Sequence, residues 1–187
     1  MRIETRPFGP QNLPLSRFGF GCGGVGGLMV RGAAADQERA VARALEAGIN
    51  YFDTAVQYGN GVSEQNLGRV LRKLGAQEAL VGTKVRLRSE EFGNIAAAIA
   101  ASLDGSLRRL QREQADLFYL HNEITLSGGG ETLSVRQVLE EVVPAFQALQ
   151  TAGKLRLPTM TAVGETPPCS RSSRPGSSAA PRSSTTC

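Results

Sequence analysis

Four polar side chains able to carry proton chemistry follow short apolar segments of the sequence. Asp53 ends Ile-Asn-Tyr-Phe-Asp, Lys84 ends Leu-Val-Gly-Thr-Lys, and His121 ends Leu-Phe-Tyr-Leu-His. Tyr58 follows Asp53 within Thr-Ala-Val-Gln-Tyr-Gly, which is typical of a loop. Parallel strands end at one rim of an α/β fold and neighbouring strands lie about 4.8 Å apart. The sequence therefore predicts that the four side chains line one pocket.

Reduction of a carbonyl group is the reaction that would use these four side-chain types together. Hydride transfer to the carbonyl carbon builds negative charge on oxygen, which a proton donor and oriented dipoles must stabilise. A phenol is a weak acid, so Tyr58 needs a nearby cation, which Lys84 is predicted to supply. Asp53 would hold Lys84 in place, and His121 would orient the carbonyl oxygen. Because side chains do not donate hydride, a nicotinamide cofactor is implied.

Each of these residues also has a structural explanation when it is considered alone. Asp53 could cap a turn, Lys84 could reach solvent, and Tyr58 could pack on a loop. His121, the only histidine of the chain, could be a hydrogen-bonded structural residue. Clustered titratable groups are only probabilistic markers of a site. It is their combination at successive strand ends that favours catalysis.

The segments that must position these residues alternate between short apolar runs and amphipathic helical stretches, which indicates βα units. The predicted strands are 18–22, 49–53, 79–84, 115–121 and 154–157. The first helix is predicted to start near Asp36 as N-cap and to stop at Gly48, and Ser63 is predicted to cap the second. Pro144 should disfavour helical geometry at Val143 and divide the fourth helix. A right-handed βα series forms either an eight-stranded barrel or an open doubly wound sheet, and spacing alone does not choose.

Composition limits the classes of protein to which the chain can belong. Its 187 residues are 41% hydrophobic, which suits one globular domain. The net charge is +4, but basic and acidic residues are interleaved, so we expect no nucleic-acid partner. No apolar run is long enough for a signal peptide or a membrane span, and three distant cysteines show neither metal-ligand spacing nor a disulfide pattern. These features predict a cytoplasmic protein without a metal site.

Six strings in order and in strand context resemble the aldo-keto reductases over 15–156. They are Gly19-Phe-Gly21-Cys-Gly23-Gly24, Asn50-Tyr-Phe-Asp53-Thr-Ala-x-x-Tyr58-Gly, Ser63-Glu-x-x-Leu67-Gly68, Thr83-Lys84, Asp116-Leu-x-Tyr-Leu-His121 and Leu149-x-x-x-Gly153-Lys154-x-Arg156. The resemblance implies a (β/α)8 TIM barrel and a cofactor of the NADP or NAD type.

The same resemblance implies roles for individual residues. Asp53, Tyr58, Lys84 and His121 match the family's catalytic tetrad, and Gly21, Gly23 and Asp53 are expected to contact the cofactor. The substrate would be a small-molecule carbonyl compound or sugar. The glycine-rich first loop and Asn122 are most similar to the branch that acts on aldoses and related aldehydes.

A second interpretation of the first loop is dinucleotide binding on an open sheet, since residues 21–26 satisfy G-x-G-x-x-G. In that fold a helix begins within the glycines, whereas residues 28–35 are expected to intervene here before the helical pattern starts. Glu46 falls on a helix, and Asp53 is somewhat far from the position of the expected acid. The barrel is therefore favoured.

The chain departs from the family after its fifth strand. Residues 1–157 would supply a partial barrel of four βα units and the start of strand five, whereas a complete barrel has eight units and about 250 residues. Residues 158–187 are rich in Pro, Ser, Thr and Arg and contain no aromatic residue, so we expect a tail that is disordered from about Pro167. A truncated or frameshifted gene would explain this change.

This departure has consequences for function. The later loops that hold much of the cofactor have no counterpart here, which argues against full cofactor binding by this chain. Exposed barrel edges would favour self-association and poor solubility. A catalytically inactive remnant or interaction subunit is therefore the alternative to an NAD(P)H-dependent oxidoreductase.

Overall fold

The structure is a computed structural model that describes residues 2–23 and 27–161. In chain order its elements are β1 (Thr5–Phe8), β2 (Leu13–Ser16), β3 (Phe20–Gly21), α1 (Leu28–Arg31), α2 (Ala34–Glu46), β4 (Tyr51–Asp53), α3 (Val62–Lys73), β5 (Leu80–Val85), a 3-10 helix (Ser89–Asn94), α4 (Ile95–Leu110), β6 (Ala115–Leu120), β7 (Ile124–Thr125), β8 (Leu133–Ser134), α5 (Val135–Gln137), a π-helix (Val138–Val142), α6 (Val143–Thr151) and β9 (Leu155–Met160). The disorder predicted from about Pro167 falls outside the described residues.

A five-stranded parallel sheet connects these elements in the order β3-β4-β5-β6-β9. Helices connect successive strands, as a right-handed barrel requires. Four βα units followed by a fifth strand, the partial TIM barrel expected from the sequence, are therefore confirmed. Within 2–23 and 27–161, no helix is long and apolar enough to cross a membrane.

The limits of all five strands differ from the prediction by one to three residues, and β3 and β9 are examples. β3 begins only at Phe20, and β9 continues to Met160 instead of ending at Leu157. The extension exists because Thr159 and Met160 pair with the end of β6. Pro158 does not interrupt β9 or its pairing with β6. Among the described residues β9 has a strand neighbour on one side only, and a proline is tolerated in such an edge strand. Residues 158–160, expected to begin the tail, therefore belong to the sheet.

The predicted helix starts need correction. α2 begins at Ala34 after Ala33, and Asp36 lies in its first turn, where its charge favours the helix N-terminus. α3 begins after Gly61, whose left-handed backbone (φ 88°) suits glycine, so Ser63 is not the cap. The Ser63 hydroxyl is instead buried and donates to the Cys22 carbonyl. The predicted stop of α2 is confirmed, because Gly48 follows its C-cap with φ 93°.

Pro144 does not disrupt its helix in the way predicted. Val143 has helical geometry (φ −60°, ψ −49°), so the expectation that it would leave the helical region is wrong. The chain accommodates the proline by winding Val138–Val142 as a π-helix and by placing Pro144 in the first turn of α6. At that position its missing N–H costs little. The predicted fourth helix is therefore divided into a π-helix and an α-helix.

Two apolar clusters cover the outer face of the sheet. A third closes the end of the barrel at which the strands begin, which is called the lower end. The outer clusters join the helices to alternate strand residues such as Phe52 and Phe118. On the inner face, Leu13 of the β1–β2 hairpin packs with Leu117 and Leu157 near the N-terminal ends of their strands. The β1–β2 hairpin therefore covers this end of the barrel. The opposite rim therefore remains open for a site.

A buried carboxylate ties the lower ends of three strands together. Asp116 on β6 accepts hydrogen bonds from the Val81 backbone N–H at 2.9 Å and from the Arg112 guanidinium at 3.2 Å. It also accepts one from Arg156 on β9 at 3.1 Å. Burial is the main cause of a lowered pKa at Arg112, and Asp116 opposes that shift. The carboxylate therefore fixes β5 and β9 to β6 at the end opposite the predicted site.

Candidate active site

The carboxyl ends of three neighbouring strands bring the predicted residues to one rim. Asp53 ends β4 and pairs in register with Gly82 of β5. Lys84, further along β5, pairs with Tyr119 of β6, and His121 follows directly after β6. Side chains of alternate strand residues point to the same face of a sheet. These residues therefore project toward the barrel interior, whereas Phe52 and Phe118 pack under the helices.

The Lys84 ammonium is the centre of the site. Its Nζ donates to both Asp53 oxygens, at 2.7 Å and 2.9 Å, and to the Thr54 carbonyl at 2.9 Å. The Lys84 side chain is 7% exposed and the Asp53 side chain 32%, so the pair lies at the boundary between core and solvent. A buried ammonium is costly unless it is paired and hydrogen-bonded. Asp53 and Thr54 therefore provide the acceptors that fix the Lys84 ammonium in place.

The Tyr58 phenol completes the contacts of this ammonium. Lys84 Nζ lies 3.1 Å from the Tyr58 hydroxyl oxygen and 4.7 Å from the centroid of its ring. An ammonium can only donate, so the Tyr58 oxygen accepts from Lys84 and its own proton remains available for another acceptor. This is the arrangement that the sequence predicted for a tyrosine general acid.

His121 interacts with Lys84 and Asp53 electrostatically, and its hydrogen bond among the described residues is to Thr161 instead. Its Nδ1 lies 3.0 Å from the Thr161 hydroxyl. Partial burial lowers the pKa of His121 below its ordinary value of 6.5, as do the charges of Lys84 and Arg86, while Asp53 opposes them. The imidazole is therefore neutral at pH 7, a form in which one ring nitrogen donates and the other accepts.

The two glycines expected to contact a cofactor lie near two of the predicted site residues, Asp53 and Tyr58. Gly21 is in register with Asp53, and a Cβ atom at Gly21 would meet nothing within 4 Å. A Cβ atom at Gly23 would lie 3.5 Å from the Tyr58 ring. Gly21 therefore leaves open space beside Asp53, whereas Gly23 packs close to Tyr58.

The first loop differs from the expectation in one respect. Residues 24–26 of the G-x-G-x-x-G string fall outside the described residues. A short helix, Leu28–Arg31, occupies part of the segment that was expected to intervene before α2. Its N-cap is Gly27, which adopts left-handed geometry (φ 66°).

No role was predicted from the sequence for Tyr51 and Tyr119, which the structure places beside the predicted site residues. The Tyr51 hydroxyl lies 3.0 Å from that of Tyr119 and 3.4 Å from Asp53 Oδ1. The sequence contained a signal for this placement. Each tyrosine precedes a predicted site residue, Asp53 or His121, by two positions, so it lies on the same face of the sheet as that residue. Asn122, singled out from the sequence, is buried, and its amide bonds the Leu87 backbone.

The Cys22 thiol lies beside the site without being reactive. It is buried and unpaired, and burial is the main cause that raises its pKa to about 12, with a further contribution from the charge of Asp53. Lys84 acts in the opposite direction. Because the thiolate is the nucleophilic form, this cysteine is a packing residue. Within 2–23 and 27–161, no group of three His, Cys, Asp or Glu residues could hold a metal ion.

Parallel strands alternating with helices, and a tyrosine, a lysine and an aspartate hydrogen-bonded at their carboxyl rim, define a βα-barrel protein with an acid–base site. The sequence matches the aldo/keto reductase family over residues 17–162, and the chain belongs to that family. This confirms the resemblance found in the sequence motifs.

Known proteins match most of this chain. L-galactose dehydrogenase from Arabidopsis thaliana is 34% identical over 157 residues, which are 83% of this chain and 47% of that protein. NADH-specific methylglyoxal reductase from Escherichia coli is 30% identical over 171 residues, which are 82% of this chain and 50% of that protein. The chain thus spans about half the length of these relatives.

Solved structures agree in fold. An aldo-keto reductase from Bacillus halodurans matches with a TM-score of 0.67 and 31% identity, covering 87% of this chain and 51% of that one. An aldo-keto reductase from Klebsiella pneumoniae in complex with NADPH has a TM-score of 0.67 and 26% identity, and it covers 91% of this chain and 53% of that one.

Proposed function

We propose that this chain carries the catalytic residues of an NAD(P)H-dependent oxidoreductase that interconverts an aldehyde, ketone or aldose with its alcohol or lactone. The observation that carries the proposal is the Lys84 ammonium, which contacts both Asp53 oxygens and the Tyr58 hydroxyl. A cation at 3.1 Å favours negative charge on the phenol oxygen. Tyr58 is thereby suited to give a proton to a carbonyl oxygen and to take it back in the reverse reaction.

The other two residues serve orientation. Asp53 keeps Lys84 in place and balances its charge in a partly dry site. His121 is neutral at pH 7, so it can hydrogen-bond the substrate oxygen without competing with Tyr58 as an acid. The two groups act on the same oxygen, Tyr58 through its proton and His121 through a dipole.

We infer that the cofactor, NADP or NAD, lies over the β3–β4 rim. When bound it supplies the hydride, which the side chains cannot. The open space at Gly21, where a Cβ atom would meet nothing within 4 Å, fits a group that approaches the backbone closely. Gly21, Gly23 and Asp53 are the residues that would hold the nicotinamide end.

An aldose is the substrate class we favour. The support is the 34% identity to a protein named L-galactose dehydrogenase. A small dicarbonyl compound is the second candidate, supported by the protein named NADH-specific methylglyoxal reductase. The NADH in the name of that reductase and the NADPH bound in the Klebsiella pneumoniae structure leave both NADP and NAD open as cofactors for this chain.

A Tyr58→Phe variant tests the proposal most directly. We expect the unmodified chain to bind NADPH in a fluorescence titration and to oxidise it with an aldehyde. Tyr58→Phe should lower kcat by about 100-fold or more, because the ring remains but the acid is lost. NADPH binding should persist in the variant. Phe18→Tyr, which adds a hydroxyl at an exposed position between β2 and β3, serves as control and should leave turnover unchanged.

The alternative function is a catalytically inactive remnant or interaction subunit. It would keep the same residues without binding the cofactor. The chain spans about half the length of these relatives. Absence of any NADPH binding by a folded sample would favour this alternative over the enzyme.

We also propose that copies of the chain associate through the edges of the sheet. Within 2–23 and 27–161, β3 and β9 each have a strand neighbour on one side only. An apolar groove of about 440 Å³ lies beside β9 and is lined by Val142, Phe146 and Met160 among others. Unpaired strand edges are templates for pairing with another chain.

A further inference from the structure

Two neutral phenols form a layer beneath the catalytic ion pair. The Tyr51 hydroxyl is 3.0 Å from that of Tyr119, and Lys84 Nζ lies 5.9 Å from the centroid of the Tyr119 ring. Above them is the Asp53–Lys84 pair, and below them are the packed side chains of Leu13 and its neighbours. The layer thus separates an apolar floor from a charged rim.

The direction of the hydrogen bonds in this layer follows from the carboxylate. An ionised Asp53 can only accept, so Tyr51 donates to its Oδ1 across 3.4 Å. The Tyr51 oxygen is then the acceptor for the Tyr119 hydroxyl at 3.0 Å. Burial raises the pKa of Tyr51 and of Tyr119, so both phenols stay protonated and act as donors. A chain of donated protons therefore runs from Tyr119 through Tyr51 to Asp53.

Gly82 makes room for this layer. A Cβ atom at Gly82 would lie 2.3 Å from the Tyr51 hydroxyl oxygen and 3.1 Å from Tyr119 Cε2. All six residues of β5 are buried, and Gly82 is the glycine among them. A glycine within a strand weakens it, and it often marks a site where another group approaches closely. Here the approaching group is the Tyr51 phenol, which crosses β5 to reach β6.

We propose that Tyr51 and Tyr119 are positioning residues that hold the Asp53 carboxylate, and through it the Lys84 ammonium, under the Tyr58 hydroxyl. The proposal rests on the function proposed above. Asp53 is 32% exposed and would otherwise be free to rotate toward water, because its other hydrogen-bond partner among the described residues is Lys84. A carboxylate fixed from below keeps Lys84 at its 3.1 Å contact with Tyr58.

The test uses the tyrosines as reporters. The chain contains three tyrosines, so labelling with [13Cζ]tyrosine gives three resonances, each of which a Tyr→Phe variant assigns. In Tyr51→Phe, which keeps the ring and removes the hydroxyl, the Tyr58 resonance should move because the Lys84 contact changes. Thr159→Val is the matched control, since it removes another partly buried hydroxyl, bonded to the Phe118 carbonyl, on a neighbouring strand.

A Gly82→Ala variant approaches the same layer from the other side. The added methyl group displaces the Tyr51 hydroxyl without removing it, so the Tyr58 resonance should move as in Tyr51→Phe. The double variant should show little further change, because its phenylalanine no longer places an oxygen against the new methyl group. If the enzyme turns over, Tyr51→Phe should lower kcat by roughly 10- to 100-fold with KM unchanged.

The outcomes separate this proposal from the function on which it rests. A Tyr58 resonance that moves no more in Tyr51→Phe and Gly82→Ala than in Thr159→Val would overturn the positioning role. Because the resonance is read without substrate or cofactor, a chain that shows no turnover still gives this answer. Absence of turnover in the parent chain, with the Tyr58 resonance moving as expected, would contradict the proposed enzyme and leave the positioning role intact.

Discussion

At the scale of single residues, the site is built around one lysine whose three donors are all used. Lys84 meets Asp53, the Thr54 carbonyl and the Tyr58 hydroxyl, so its position is fixed by contacts of three different kinds. An arginine could not replace it, because a planar guanidinium cannot present three donors around one point. The site therefore requires both a positive charge and the compact geometry of an ammonium group at this position.

His121 offers a direct measurement of the charge around the site. Lys84 and Arg86 act with burial to lower its pKa, so Arg86→Met should raise the pKa of the imidazole toward 6.5. Since His121 is the only histidine, the titration of its ring protons in an untagged chain is unambiguous by NMR. Arg88→Met, whose charge is not among the causes of the shift, should leave the titration unchanged. Equal titration curves for both variants and the parent chain would contradict the electrostatic explanation.

The lowered pKa of His121 also sets the sign of a pH effect on stability. Below about pH 6.5 the unfolded chain takes up a proton that the folded chain resists, so the free energy of unfolding falls as pH falls through that range. At higher pH the imidazole is neutral in both the folded and the unfolded chain, so this loss of stability does not occur. Arg86→Met should flatten the acidic side of the curve.

At the scale of elements, the sequence predicted the order of strands and helices well because buried parallel strands and amphipathic helices have distinct periodicities. The errors arose at element ends. Ser63 has the residue type of an N-cap, but its hydroxyl is buried against Cys22, and the left-handed Gly61 begins the helix instead. Pro144 was judged from an ideal α-helix, whereas a π-helical turn accommodates it.

The candidate site could likewise be predicted in part from the sequence. Asp53, Lys84 and His121 could be placed from strand ends alone, because the fold dictates where those ends meet. Tyr51 and Tyr119 were missed because two tyrosines in strands have an ordinary explanation as core residues. Only the distance between their hydroxyls, 3.0 Å, shows that they contact each other.

Asp116 should be the strongest single contributor to the attachment of β9. Asp116→Ala leaves the buried Val81 N–H without its acceptor and removes the anion that pairs with two arginines, although Arg112 keeps its bonds to the Gln77 and Ala79 carbonyls. We expect the free energy of unfolding to fall by about 3 kcal/mol in urea denaturation. Glu140→Ala, which breaks the exposed pair with Arg136, is the control and should change it by less than about 1 kcal/mol. A loss at Asp116 no larger than that of the control would show that β9 is held by apolar packing alone.

At the scale of the whole molecule, the open sheet predicts a mixture of assembly states that depends on concentration. Sedimentation velocity should detect dimers or larger species of the parent chain. Met160→Lys places a charge on edge strand β9 beside the apolar groove, so it should shift the distribution toward monomer. Leu74→Lys changes another exposed apolar residue, 37% exposed at the end of α3, and should leave the distribution unchanged. A parent chain that remains monomeric across the concentration range would refute association through the edges.

The placement of the aromatic residues has one more consequence. The chain has no tryptophan, and its three tyrosines all belong to the acid–base site and the phenol layer below it. At wavelengths longer than those that phenylalanine absorbs, the near-ultraviolet circular dichroism of the protein therefore reports on the candidate site. A single optical spectrum can show whether that region has acquired fixed chiral packing, separately from whether the helices around it have formed.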